Sequence, residues 1–151
     1  MEGNGDEARR WYDESLALNR ELGSELMVAG ELHNLGTLEK NEGRLERADE
    51  LFRDSLARSR ALGSAYLLPY NLLDFGSLAA LRGEGVRAAR LLAAAETAVA
   101  ATGATFDPDD QPEFDRAVAQ ARAVIDEDAF AAAWAEGGAL PLDAALDEAV
   151  A

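Results

Sequence analysis

Apolar side chains along the chain recur three and four positions apart, the spacing that places them on one face of an α-helix. In residues 45–62 that face is broad, and its members are Ala48, Leu51, Phe52, Ser55, Leu56 and Leu62. Leucine and alanine dominate the 151-residue chain, and no stretch of any length shows the alternation typical of a β-strand. The pattern therefore predicts an all-helical fold.

The same pattern returns after forty residues. Residues 24–63 and 64–103 align without a gap, and residues 3–23 align with the second half of such a unit. Nine residues of the half repeat recur forty positions later. They are Gly3, Ala8, Ser15, Leu16, Ala17, Arg20, Leu22, Gly23 and Ser24, and their counterparts are Gly43, Ala48, Ser55, Leu56, Ala57, Arg60, Leu62, Gly63 and Ser64. Self-similarity at this period predicts a stack of small units, each packed on its neighbours.

Each unit reads as two antiparallel helices. In the central unit we expect helices over 25–41 and 45–62, with Ser24 as an N-cap and Gly23 as a left-handed terminator. Gly36 and Gly76 lie inside helices, where glycine costs about 1 kcal/mol relative to alanine.

A repeated cost of this kind indicates close helix contact. We expect the residues opposite the two glycines to be Ala48 and Ala88. Pro69 follows Ser64 by five positions, so the helix either bends there or starts late, and the register favours a bend.

The residues after the repeats predict three further helices, over about 110–125, 127–136 and 142–150. Pro108 and Pro112 precede the first of these, and Gly137, Gly138 and Pro141 separate the last two. This segment, residues 107–151, would cap the stack within the same structural domain.

Leu32, Leu35 and Gly36, followed by Ala48, Phe52 and Ser55, resemble the pattern of the tetratricopeptide repeat. The period is 40 here instead of 34, so longer helices are expected. The resemblance implies a right-handed superhelix of antiparallel helix pairs over residues 1–106, made of a half repeat (3–23) and two full units (24–63 and 64–103).

The tail adds a second resemblance. Phe114 to Ala117, Asp128 to Gly137, and Leu140 to Ala149 look like the closing segment of LuxR-type and related ATPase regulators of bacteria. That resemblance implies a module of a larger cytoplasmic regulator.

Tetratricopeptide repeats bind ligands on the concave wall that their first helices form. By motif position the resemblance assigns Gly30, His33, Asn34, Thr37, Lys40, Asn41, Tyr70, Leu73, Asp74, Ser77 and Leu81 to that wall. It implies a non-enzymatic module that binds a protein or peptide, or senses a small effector. The alternative is that these are ordinary solvated or packed helix residues.

Charge narrows the range of partners. The net charge is −15, and residues 107–151 hold two basic and twelve acidic side chains. Such a surface repels phosphate backbones, so direct nucleic-acid binding is not expected. The N-terminus lacks the apolar segment of a signal peptide, and the apolar run at 91–101 is far shorter than a membrane span.

Catalytic and metal-binding patterns are weak. Without cysteine, thiol catalysis and zinc knuckles are excluded. His33 is the sole histidine, and a remote hydrolase alternative would pair it with Ser59 or Ser77, although no spacing supports either. The acidic runs at 107–110 and 126–128 fit a linker and a helix N-terminus better than a metal site. We expect no cofactor.

The half repeat predicts a surface for self-association. Its helix, expected over 6–22, presents more apolar positions than one neighbour can cover, among them Trp11, Leu18 and Leu22. A structural alternative to partner binding is therefore a homodimer through this end.

Overall fold

The computed structural model describes residues 3–151, and this part of the chain is helical without a strand. The predicted all-α fold is confirmed. The helices are α1 (Gly3–Glu21), α2 (Glu25–Asn41), α3 (Leu45–Leu62), α4 (Leu67–Leu81), α5 (Gly85–Ala101), α6 (Gln111–Val124), α7 (Glu127–Gly138) and α8 (Leu142–Val150). The first two residues of the predicted repeat region, 1–106, lie outside the described residues.

The chain divides into two compact units, one ending at Leu67 and the other beginning at Leu68. The first holds α1, α2 and α3, and the second holds α4 to α8. The predicted boundary between repeats and cap, at 106/107, is a different kind of division, since it follows the repeat pattern; it stays a prediction.

Glycine ends the repeat helices at a fixed interval of the sequence. The five glycines with positive φ, each twenty residues after the last, are Gly23, Gly43, Gly63, Gly83 and Gly103. At the end of α3, Gly63 has φ +61°, its N–H donates to Arg60 O, and the N–H of Ser64 donates to Ser59 O. This pair of hydrogen bonds is a Schellman motif, which satisfies carbonyls that the helix leaves open. The predicted terminator role of Gly23 is confirmed.

The core of the first unit lies where α1 and α3 meet α2. Its buried members are Leu16, Val28, Leu32, Leu35 and Leu51, with Tyr12 and Leu38 packed against them. α2 therefore supplies most of the core, since it lies between the two helices that contact it. The hydroxyl of Ser55 on α3 donates to the backbone O of Ala29 at 2.8 Å, which adds a buried polar contact between α2 and α3.

Gly36 and Gly76 do mark close helix contacts, but the residues opposite them differ from those expected. A Cβ at Gly36 would lie 2.5 Å from Cε1 of Phe52, one turn beyond Ala48. A Cβ at Gly76 would lie 2.8 Å from Cγ of Leu92 instead of meeting Ala88. The expectation of a small residue opposite each glycine is wrong. The glycine leaves the space that a large side chain of the next helix fills.

The second unit is organised around α5. The three C-terminal helices α6, α7 and α8 all contact it, and the Gly76–Leu92 contact joins it to α4. α7 approaches α5 at Gly137, where a Cβ would overlap the backbone of Arg90. Gly137 therefore permits helix-to-backbone contact that any other residue would prevent.

The expectation of a bend at Pro69 is wrong, because α4 begins late. Residues 65 and 66 form a turn, and α4 starts at Leu67, whose N–H donates to Oγ of Ser64 at 3.1 Å. Pro69 is thus the third residue of the helix, within the first turn, where its missing N–H breaks no helical hydrogen bond.

A matched pair of glycine substitutions on α2 tests the close contact. We expect Gly36→Ala to lower the free energy of unfolding by about 1–3 kcal/mol, because the methyl group would force the Phe52 ring to move. Gly30 has no atom within 4 Å of its Cβ position, so Gly30→Ala should stabilise the helix by up to about 1 kcal/mol. Urea unfolding measures both. Equal effects would contradict the assigned contact.

Candidate functional site

The α2 members of the predicted wall fall along one side of the helix. Gly30, Asn34, Thr37 and Asn41 are spaced by four, three and four residues, and none is fully buried. Open space surrounds the Cβ position of Gly30. We call these four residues the α2 row. Their amide and hydroxyl groups offer donors and acceptors at a surface.

The other two α2 members flank this row. His33 is half-buried, and Lys40 is buried, 4% exposed. A buried ammonium group is a poor contact for an arriving ligand, since its charge needs partners within the protein. Lys40 therefore fits a structural role better than the predicted partner contact.

The α4 members are placed differently from those of α2. Of the five, only Leu81 at the helix end is exposed; Tyr70, Leu73, Asp74 and Ser77 are buried. The whole of α4 from Leu67 to Ala80 is buried, so this helix is interior. The sequence pattern gave both helices the same predicted role, and the structure separates them.

Residues that follow α5 pack against α4. The N–H of Asp107 donates to the hydroxyl of Tyr70 at 3.0 Å, and the ring of Phe106 meets the ring of Tyr70 edge-on, with centroids 5.3 Å apart. The hydroxyl of Ser77 donates to a carboxylate oxygen of Glu113 on α6. A partner would reach Tyr70 and Ser77 only if residues 106–113 moved away.

A line of aromatic rings fixes this arrangement. Phe106 contacts Phe114 with centroids 5.2 Å apart, Phe114 contacts Trp134 at 6.2 Å, and Trp134 stacks on Phe130 at 5.4 Å. Aromatic pairs of this geometry stabilise beyond the area that they bury. The rings join the loop before α6 to α6 and α7.

α1, together with Leu22 directly after it, presents the apolar side chains that the half repeat predicted. Trp11, Leu18 and Leu22 are 67%, 56% and 70% exposed. Tyr12 and Leu16 instead pack on the core with α2. The apolar positions of α1 therefore divide between one side that faces α2 and one that remains at the surface.

An ionic network fastens α1 to α2. Arg9 Nε donates to Glu39 at 2.7 Å, and the same guanidinium group also binds Asp6 and Glu42. Arg44 also binds Glu39 and Glu42. Glu39 is buried, so its two arginine partners compensate a carboxylate that is largely removed from water. Helical periodicity gave no signal for the contact of Arg9 with Glu39 and Glu42, because these carboxylates lie 30 and 33 residues away in sequence.

A second ionic cluster joins α5 to α7 and α8. Arg90 donates to both carboxylate oxygens of Glu148, at 3.1 and 2.6 Å, and also binds Glu136. Arg87 donates to the backbone O of Ala149 at 2.8 Å. A cleft of about 630 Å³ lies beside these groups. Both arginines are engaged within the protein, so the cleft offers little free positive charge to an anion.

The serine hydroxyls considered for catalysis already donate hydrogen bonds within the protein. The hydroxyl of Ser59 donates to the backbone O of Ser55, and that of Ser77 donates to Glu113, so each proton of these hydroxyls already has an acceptor. Within residues 3–151 no three His or carboxylate side chains are grouped to hold a metal. Asp126 caps α7, where it accepts the N–H of Ala129 at 2.7 Å.

Comparison with known proteins supports the repeat. Residues 29–64, which include most of α2 and all of α3, match the family model of the tetratricopeptide repeat. No curated protein and no solved structure gives a significant match. Tetratricopeptide repeats are typically non-enzymatic modules that bind proteins. None of the helices in the described region is both long and apolar enough to cross a bilayer.

The Arg90–Glu148 pair predicts a pH dependence of stability. Hydrogen bonding to Arg90 lowers the pKa of Glu148 below its usual value of 4.5. A lowered folded-state pKa contributes stability above the unfolded value, and the contribution is lost as pH falls through the folded value. Glu148→Gln should therefore lower the Tm at about pH 7 and have less effect below about pH 4.

The control is Glu96→Gln, which removes an exposed carboxylate from α5. Thermal melts across this pH range measure both variants. A Tm difference for Glu148→Gln that stays constant down to about pH 3 would contradict the assignment.

Proposed function

We propose that the chain is a non-enzymatic interaction module that binds a protein or peptide partner through the α2 row. The observation that carries the proposal is the partly exposed polar row on a helix of the matched repeat. Gly30, Asn34, Thr37 and Asn41 let a partner backbone approach α2 and hydrogen-bond to it. An alternative form of this proposal is that a small polar effector binds to the same groups.

The burial of α4 makes the proposed contact surface smaller than the one that the sequence pattern predicted. Because Tyr70, Leu73, Asp74 and Ser77 are buried, the contact surface that we assign consists of the α2 residues and excludes these four. His33 borders the row and is half-buried.

The wider setting is also a proposal. We propose that the chain serves within a bacterial transcriptional or signalling regulator of the cytoplasm, on the resemblance of residues 114–149 to the closing segment of LuxR-type regulators. Sequencing the reading frame upstream of Met1 tests it, and an ATPase or helix-turn-helix sequence there is the expected result.

A pair of arginine substitutions tests the α2 row. Peptides are selected against the protein from a random display library, and their Kd values are measured by titration calorimetry. Thr37→Arg places a long charged side chain within the row and should weaken binding by about tenfold or more. Ala57→Arg adds the same group to an exposed position of α3 and should leave binding unchanged.

Two results would contradict the assignment. One is equal binding by both variants, which would place the peptide site away from the row. The other is a failure to select any peptide whose binding depends on Thr37.

Self-association is the second candidate function, and the exposure of Trp11, Leu18 and Leu22 favours it. It requires a homodimer through α1 that forms with rising concentration and that Trp11→Glu weakens. Sedimentation velocity measures this directly, and a monomer at every concentration removes the candidate.

A further inference from the structure

The segment before α6 lies on the side of α4 that corresponds to the α2 row. Forty residues after members of that row, α4 carries Tyr70, Asp74 and Ser77, whose spacing of four and three places them on one side of the helix. All three are buried. Residues 104–113, which we call the strap, bond to the first and the last of them. The chain itself therefore occupies on α4 the positions that stay partly exposed on α2.

The strap buries little of its own surface. Phe106 is its sole buried residue, and the other nine positions are exposed or partly exposed. Residues 104–106 have no regular secondary structure, and residues 108–110 form a turn. Segments with so few buried contacts open locally at a much lower free energy than the whole fold. The strap is thus built to leave α4 without unfolding the core.

The contacts at the two ends of the strap permit such an opening. Gly103 directly precedes it with φ +78°, and no atom lies within 4 Å of its Cβ position, so the backbone has room to turn there. At the other end, Phe106 contacts Phe114 of α6, and Phe114 also contacts Trp134 of α7. When Phe106 leaves, the Phe114–Trp134 contact still joins α6 to α7.

The side of α4 under the strap is polar, although the other residues of this helix are mostly apolar. Permanent burial of hydroxyl and carboxylate groups costs free energy that apolar groups of similar size would not cost. Such groups are expected on a side that also meets water or a ligand. The strap offers this side an aromatic ring to Tyr70, a backbone N–H to the Tyr70 hydroxyl, and a carboxylate to Ser77.

We propose that the strap is an autoinhibitory segment, which occupies a peptide-binding side of α4 and is displaced by a partner segment of the same chemistry. That chemistry is an aromatic residue against Tyr70 and, seven positions later, a carboxylate against Ser77, as Phe106 and Glu113 show. The inference goes beyond the proposed function, since it concerns α4 and would stand if the α2 row bound nothing.

Thiol labelling measures the opening of the strap, because the chain has no cysteine of its own. Ser77→Cys places a thiol under the strap, and Ala95→Cys places one at a similarly buried position of α5, with exposures of 2% and 0% for the native residues. Under native conditions we expect the first thiol to react with Ellman's reagent about tenfold or more faster than the second. Phe106→Ala should accelerate the first reaction by a further factor of about ten and leave the second unchanged.

A peptide with the sequence of residues 104–113 tests the ligand chemistry. It is fluorescently labelled and added to the protein, and binding is followed by anisotropy. We expect Phe106→Ala protein to bind it about tenfold or more tightly than the parent protein, because the altered strap competes less for α4. Asp109→Ala, which changes an exposed residue of the strap, should bind the peptide like the parent protein.

Three results would overturn the proposal. Equal labelling rates for Ser77→Cys and Ala95→Cys would mean that the strap opens only with the whole unit. Acceleration of both rates by Phe106→Ala would make Phe106 part of the core. Equal peptide binding by Phe106→Ala and the parent protein would leave α4 without a ligand of this chemistry. Thr37→Arg should leave peptide binding unchanged, which separates this test from that of the α2 row.

Discussion

The close approach of paired helices at a glycine is the constraint on which the repeats depend. Phe52 is buried because Gly36 has no side chain, and Leu92 is buried on α5 next to Gly76 for the same reason. Glycine within a helix costs about 1 kcal/mol, whereas burial of a large apolar side chain contributes about 1.5–3 kcal/mol. The gain from burial exceeds the cost of the glycine only if the second helix supplies that side chain. A change of the glycine alone, or of its large partner alone, should therefore lower the stability of the fold.

Most of the helices follow from the sequence because two local signals agree. Apolar periodicity indicates which residues are helical, and a glycine with positive φ follows each of α1 to α5. The expected helices at 25–41 and 45–62 match α2 and α3, and those at 142–150 match α8. The start of α4 was harder to place. Its position depends on a hydrogen bond from the Leu67 N–H to the Ser64 hydroxyl, and the forty-residue register does not encode that bond.

The candidate site was only partly predictable, since repeat position and exposure are different properties. Thr37 and Ser77 occupy equivalent positions, yet Thr37 is partly exposed and Ser77 is buried with its hydroxyl bound to Glu113. Burial of Ser77 depends on contacts with residues 36 positions away, so periodicity within the repeat cannot reveal it. The ionic clusters of Arg9 and Arg90 were missed for the same reason, because each joins groups that are distant in sequence.

The regular interval between helix ends bears on how such a chain changes in length. Positive-φ glycines recur every twenty residues from Gly23 to Gly103, and a full helix pair takes forty. A duplication or deletion of forty residues would preserve the alternation of helix types and place each apolar side against an equivalent neighbour. A change of twenty would set two helices of the same type side by side, and any other number would break the register. Recombination can therefore lengthen or shorten this chain in whole units, and its natural length variants should differ by multiples of forty.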